Sequence, residues 1–470
     1  MRLSSTDNNF NTGIRLIIVF VIIFSLIAEN TWGAEKPNER PNILMITTHD
    51  IGQHLGFYGV KNVQTPHIDK LAEQGIRFTN FYSTSAVCSP GRASLHTGRY
   101  PQSNGLMGLT HGPWWWSLNE NEKHTAQLLK DEGYRTILAG FNHIGNPSRL
   151  GYNLHLSKKN KAEETVAKVS EFLQNEADKN APFFLKAGFT EVHRGFDFGS
   201  DSTKGIFVPG YLANTKMMRE DLAQFQAEIK YFDSCVGRIL EALENSNVAE
   251  NTIVIFTSDH GIPYPGAKWS ARKAGLDVPL IIYKKGEKSL TGGSVYKEVM
   301  SNVDVLPTIL DIVEIEKPMN LEGVSFWDFL TKKQNKLPRE AAFGQYTPDM
   351  KRDNASRTIL TEKYQLIYYF SEGRSVKYPV DINPVEFAAH RARCTTSGSR
   401  PFVQLYNIQT DPYELNNLSE KEEYNEIVAE LTKKLYKWIK EVNDPILKGP
   451  VASPYYVKAR ENLNNLVKEE

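Results

Sequence analysis

Cysteine is scarce in this chain of 470 residues. Cys88, Cys235 and Cys394 are odd in number and far apart, which excludes a disulfide framework. A surplus charge of either sign is also missing: Lys plus Arg and Asp plus Glu balance at 55 each. No global field therefore draws nucleic acid or an anionic membrane, and any anion recognition has to be local. There is no HExxH, no CxxC pair, no GxGxxG behind a strand and no Walker loop, so zincin, zinc-finger and nucleotide-binding readings have no support. Internal repeats and low-complexity tracts are absent. Long apolar runs are absent too, with one exception at the N-terminus.

That exception is "LIIVFVIIFSLIA", Leu16 to Ala28, preceded by Arg2 and Arg15 and followed by the small pair Gly33-Ala34. It reads as a secretory signal peptide spanning residues 1–34, with an uncleaved anchor as the alternative. The run is shorter than the roughly 20 residues a comfortable membrane span needs. The expectation is an exported chain, periplasmic or secreted, with no membrane attachment after cleavage.

Beyond residue 40 the chain is rich in alternation. "NILMITT" is a buried-strand pattern; "HIDKLAEQG" is helix-like and leads to "IRFTNFYS"; "TAQLLKDEGY" leads to "RTILAGF"; "PFFLKAGFTEVH" is another apolar strand; the helical "YFDSCVGRILEALE", which contains Cys235 as a small hydrophobe, leads to "TIVIFTSDHG". Strands alternating with helices predict an α/β fold with a large, mostly parallel sheet sandwiched by helices. From about Phe343 the texture changes to short aromatic strands, "YQLIYYF" and "VQLYNI", a turn signal and a polar C-terminal helix. We read residues 35–342 as one domain and 343–470 as a smaller α+β domain with a small antiparallel sheet.

Four of the predicted strands end in unusual chemistry: His49-Asp50, His143, His193-Arg194 and Asp259-His260. In open parallel sheets ligands sit beyond the carboxyl ends of the strands, so all four open onto one rim. Singly, each reads as a cap or a structural histidine; together they point to a metal or catalytic site. Asp50 and Asp259 offer oxygen ligands suited to Ca²⁺ or Mg²⁺, while each histidine that joins favours Zn²⁺ or Mn²⁺.

A fifth element is "VCSPGRASLHTG". Ser89 reads as an N-cap, Pro90 as the first helical residue and Gly98 as the stop, which puts Cys88 at a helix mouth with Arg92 one turn in. Such a mouth favours an anion and lowers a thiol pKa.

The run Cys88-Ser89-Pro90-Gly91-Arg92 followed by "ASLHTGR" resembles the CxPxR signature of the type I sulfatases, within the alkaline phosphatase superfamily. "TIVIFTSDHG", "PHIDKLAEQGIRFTNFY", "GAKWSARKAGLDVPLII" and "LYNIQTDPYELNNL" resemble further family segments in order, and "HGIPYPGAK", "TEVHRGF" and "KWIKEVNDP" are most similar to its N-sulfoglucosamine sulfohydrolase branch. The resemblance implies that a maturation enzyme oxidises Cys88 to formylglycine (3-oxoalanine), whose hydrate is the nucleophile. It implies one Ca²⁺ held by Asp50, Asp259, His260 and the modified Cys88, with Mg²⁺, Mn²⁺ and Zn²⁺ ranked behind. Arg92 would steady the hydrate, Lys268 would bind sulfate, His193 would serve as leaving-group acid or sulfate ligand, and His143 as base; Arg194 is a further substrate contact.

Two positions depart from the family pattern: His49 stands where an aspartate is usual, and Phe141 stands where a sulfate-binding lysine is usual. The expected activity is hydrolysis of O-sulfate or N-sulfate groups on a sulfated glycan, glycosaminoglycan or algal. A phosphodiesterase or phosphonate monoester hydrolase of the same superfamily, and an inactive glycan binder, are the competing readings. "GPWWWS", Trp114 to Trp116, offers either stacking faces for sugar rings or core packing.

Overall fold

A computed structural model describes residues 40–157, 160–177, 181–337, 339–347, 355–371 and 400–468. The signal-peptide reading and Cys394 lie outside the described residues, and among those described no helix is long and apolar enough to cross a membrane.

The main sheet has eight strands: β1 (Asn42–Thr48), β2 (Ile76–Tyr82), β3 (Arg135–Gly140), β4 (Leu154–Ser157), β5 (Phe183–Gly188), β6 (Thr252–Ser258), β7 (Leu280–Lys284) and β8 (Ser294–Ser301), in the order β4-β3-β5-β1-β6-β7-β2-β8. The first five in that order run parallel, and β7 is antiparallel to both its neighbours. The sheet is therefore mostly parallel, as its sequence predicts.

Alternation along the strands feeds two cores. Leu44 and Ile46 of β1, with Leu185 and Val254, pack under α1 (Pro66–Gln74), α4 (Ala162–Asn175) and α5 (Lys216–Glu244). Ile43 and Met45 face the opposite way, toward α2 (Cys88–Thr97), α3 (Thr125–Asp131) and α6 (Val305–Ile312). Both faces of a parallel sheet have to be covered, which is why its strands are apolar throughout.

The register puts the central strands level. Gly140 pairs with Gly188, Gly188 with Thr47, and Thr48 with Ser258. The residues that follow β3, β5, β1 and β6 consequently emerge side by side on one rim.

The second sheet is antiparallel, ordered β12-β11-β10-β9, from β9 (Ala342–Tyr346), β10 (Ser356–Leu360), β11 (Tyr364–Tyr369) and β12 (Val403–Asn407). Its outer face is covered by α7 (Asn425–Glu441), where Phe343 stacks on Trp438 at 5.0 Å. Its other side matters for the rim: Gln345 donates its N–H to Thr84 O at 2.8 Å, and Tyr346, Ile367 and Tyr369 pack around Cys88.

Candidate active site

The helix mouth comes first. α2 begins at Cys88, two residues earlier than its sequence suggests; Val87 is the extended N-cap, and Ser89 is not the cap. Pro90 falls at the third helical position, where its missing N–H is still one of the orphans of the first turn. The Ser89 hydroxyl instead accepts the Thr110 N–H at 3.4 Å. Gly98 ends the helix in the left-handed region, φ 64°. Gly91 is required by close approach: a Cβ there would sit 2.7 Å from Asp259 O, so only glycine lets α2 come this near the end of β6.

Cys88 is buried, and His260 Nε2 lies 3.3 Å from its Sγ. The helix mouth does not acidify this thiol. Burial pushes it well above its ordinary value, Lys268 pulls the other way, and Asp259 and Asp50 add to the rise.

Around it the strand-end residues converge. His260 Nδ1 donates to Gly261 O at 2.9 Å, and its Nε2 faces Cys88 and, at 3.1 Å, Asp50 Oδ1. The Asp50 N–H donates to Asp259 Oδ1 at 3.0 Å. Asp50 itself has φ 52°, a left-handed conformation that turns its carboxylate back over the rim. His49 Nδ1 is 2.6 Å from Asp50 Oδ1 and 3.3 Å from Asp259 Oδ2. Ligand atoms of His49, Asp50, Cys88, Asp259 and His260 all lie within 4.8 Å of one another.

The electrostatics keep both carboxylates ionised. For Asp50, burial is opposed and outweighed by Lys268, then by His49 and His260, so its pKa falls well below the usual range. For Asp259, burial is likewise outweighed, by His260, His49 and Arg92. Burial carries His49 down to about 4, against the pull of both carboxylates, so its ring is neutral near pH 7.

Arg92 donates from Nε to Asp259 Oδ2 at 3.1 Å and from Nη2 to Thr48 O at 2.9 Å. Its guanidinium carbon lies 5.0 Å from the centre of the Phe141 ring. Phe141 thus packs on Arg92 and on His49, whose ring centroid is 5.4 Å away. Lys268 comes from the loop after β6 and donates to Asp50 Oδ2 at 2.6 Å. Its Nζ is also 3.2 Å from His193 Nε2, and His193 Nδ1 is 2.8 Å from Arg194 O. Arg194, beside the rings of Phe196 and Tyr264 in the wall of the cleft, is forked on Asp221 at 2.8 and 2.6 Å. His143, also at positive φ, is held neutral by burial, with its pKa at about 2.

Sequence reasoning overlooked His111, whose ring is parallel to His143 at 5.3 Å, and the acidic residues Glu191 and Glu228 of the adjoining cleft. His111 adjoins "GPWWWS", and the three tryptophans divide their work. Trp116 packs into the core, Trp114 lies 6.1 Å from Trp269 beside the Cys88 cluster, and Trp115 is exposed.

Comparison with known proteins decides the family. The sulfatase family model matches residues 41–315. The chain belongs to the sulfatase family. A second model, "N-sulphoglucosamine sulphohydrolase, C-terminal", matches residues 270–389 of this sulfatase. It is 26% identical to an ulvan-active sulfatase of Formosa agariphila over 87% of this chain and 76% of that one. It is 27% identical to the N-sulphoglucosamine sulphohydrolase of Homo sapiens over 87% and 92%. A structure solved in complex with its substrate D-glucosamine-2-N,6-O-disulfate aligns with a TM-score of 0.66 at 23% identity, covering 87% of this chain and 99% of that one. The sulfatase is accordingly a sulfuric ester hydrolase with a metal-binding-capable cluster at its rim.

Proposed function

We propose that this sulfatase is exported and removes sulfate groups from sulfated polysaccharides or their oligosaccharides, using formylglycine at position 88 and a resident Ca²⁺. One observation carries the reading: Cys88, at a helix N-terminus, lies against His260 in a buried cluster with Asp50 and Asp259, and Lys268 is hydrogen-bonded to that cluster.

The donor set fits a divalent cation. Two buried carboxylates and His260 Nε2 converge on one space, a set of oxygen and nitrogen donors that a divalent cation accepts. Asp50, Asp259 and His260 would hold the ion beside residue 88. The carboxylates favour Ca²⁺; Mg²⁺, Mn²⁺ and Zn²⁺ rank behind, and His49 is the group that would tilt the site toward them. A divalent ion there neutralises charge on a bound sulfate oxygen.

The residues of the chain do the rest. One hydroxyl of the residue-88 hydrate gives up its proton to solvent and attacks sulfur as the bond to the leaving oxygen breaks, and the sulfate stays on residue 88. Lys268 Nζ and His193 Nε2, 3.2 Å apart, hold a proton between them, and His193 passes it to the leaving oxygen. Neutral His143 takes the proton of the second hydroxyl, the aldehyde reforms and sulfate departs. Arg92 steadies the hydrate, Lys268 faces the sulfate oxygens, and Arg194, fixed by Asp221, lends charge to the wall. A formylglycine-generating enzyme has to act first. The names of the relatives support a glycan substrate; the N-terminal apolar run supports export; the change of texture near Phe343 supports domains at 35–342 and 343–470.

The decisive measurement is the mass of the Cys88 peptide from the native host. An aldehyde or its hydrate in place of the thiol is the expected result; an unmodified thiol in a host that has the maturation enzyme sinks the mechanism. Because Phe141 occupies a position where a sulfate-binding lysine is usual, rates on an aryl sulfate and an aryl phosphate diester should be measured side by side. A clear diester preference would turn the assignment to phosphodiester hydrolysis.

A further inference from the structure

The cleft leading out of the site has a wall that the mechanism leaves unused. It encloses about 750 Å³, within the usual size of a small-ligand site. Its inner end is His49, His143 and His193; its outer wall comes from α5, the start of α4 and the loop after β5.

Two carboxyl groups on that wall have no cation partner among the described residues. Glu228 is 3% exposed and accepts the Asp197 N–H at 3.2 Å. Glu191 accepts the Ala162 N–H at 3.2 Å and the Thr190 hydroxyl at 3.3 Å. Burial raises both, Glu228 to about 7, and the charge of Glu191 adds to the rise at Glu228.

Two of the nearby charged groups, Glu163 and Arg194, are already committed. Glu163 is forked by Arg238 at 2.9 and 2.8 Å, and Arg194 by Asp221. Lys161 is exposed, and Asp197 adds a negative charge. Beside the acids lies an aromatic face. Phe198, 42% exposed, stacks on Tyr231 with centroids 3.5 Å apart and planes 13° apart, and the Tyr231 hydroxyl is anchored to Glu163 at 3.0 Å.

A ring that is apolar on one face and hydroxyl-rich on its edge suits this wall: C–H groups lie on the aromatic pair while hydroxyls, or an ammonium, meet the carboxyl oxygens. An anionic substituent would face two uncompensated carboxyls. We propose that this cleft is the subsite for the sugar carrying the scissile sulfate, and that Glu191 and Glu228 select a ring bearing hydroxyls or a protonated amine against one bearing a second sulfate or a carboxylate. The proposal rests on the polysaccharide-sulfatase reading above and names the substrate class for it.

Competition assays test it for the case in which the 6-O-sulfate is the group cut. Full-length enzyme carrying formylglycine is assayed on 4-nitrophenyl sulfate with glucosamine 6-sulfate or glucosamine 2-N,6-O-disulfate as competitor. The free-amine sugar should compete at least about tenfold more tightly, a difference of ~1.4 kcal/mol. Glu228→Gln and Glu191→Gln should each narrow the gap through the inhibition constant of the free-amine sugar. Equal or tighter competition by the disulfate overturns the proposal, as does an unchanged gap in both variants. No turnover of 4-nitrophenyl sulfate would instead refute the sulfatase mechanism; calorimetric titration of the same two sugars then still decides the subsite.

Discussion

Two buried Arg–Asp pairs set the rim apart from the small sheet. Arg357 donates to both oxygens of Asp444, at 2.5 and 2.9 Å, and its remaining nitrogen donates to Tyr346 O and Ser356 O. Gln102 and the Ile446 N–H complete Asp444. Every charged atom of that pair is closed by protein. Arg92 grips Asp259 through one nitrogen only, and its Nη1 has no partner among the described residues. Asp259 shares its oxygens with the Asp50 and His260 N–H groups and with His49, all in a site crowded with ionisable neighbours. Buried charge that is fully satisfied holds a fold together; buried charge left partly open is set to meet a ligand.

The largest expected effect lies at the centre of the open region. Cys88→Ala should lower aryl sulfate turnover by ~10⁴-fold or more, as loss of a nucleophile does, with the melting temperature within a few degrees of wild type. Residual turnover above a hundredth of wild type would sink residue 88 as nucleophile.

The two pairs can then be broken in parallel. Asp259→Asn should cost about 10²–10³-fold in kcat and reduce bound metal by elemental analysis. Asp444→Asn should cost roughly 3–5 kcal/mol of stability, the usual result of stranding a buried partner, while kcat per folded molecule stays the same. If Asp444→Asn impaired kcat and spared the melt, the distinction between the pairs would fail.

A smaller effect concerns pH. Glu228 titrates at about 7 in the folded chain, raised by burial, and a raised carboxyl stabilises below its unfolded pKa and loses that contribution as pH climbs through the folded value. Wild type should therefore lose about 1–2 kcal/mol between pH 5 and 8, after allowance for screening at an open cleft. Glu228→Gln should lack that loss in paired thermal melts. The smallest effect is Phe198→Ala, expected to raise KM for a glycan substrate by about 2–10-fold, matching an aromatic contact of ~0.5–1.5 kcal/mol, with kcat little altered.

Legibility divides along the same line. The parallel sheet was readable because buried strands are continuous apolar runs, and the gathering of Asp50, His143, His193 and Asp259 was readable because parallel strands end on one side. Cys88 and Arg92 stood out by motif. Glu191 and Glu228 did not, since an acidic residue on a long amphipathic helix or after a strand looks like solvated surface until packing buries it, as for Glu228, or half-buries it, as for Glu191. The cap at Ser89 was misread because Val87, with no polar side chain to signal it, starts the helix.

The order of strands and helices, and the side-chain chemistry each strand end carries, were settled in the amino-acid sequence alone, since both depend on local pattern and covalent identity. It took the closed fold to decide that the Cys88 thiol is raised and not lowered, that Arg194 is spent on Asp221, and that an acidic, aromatic cleft adjoins the rim. Those outcomes depend on burial and on neighbours far apart in the chain, quantities that exist only once the core has closed.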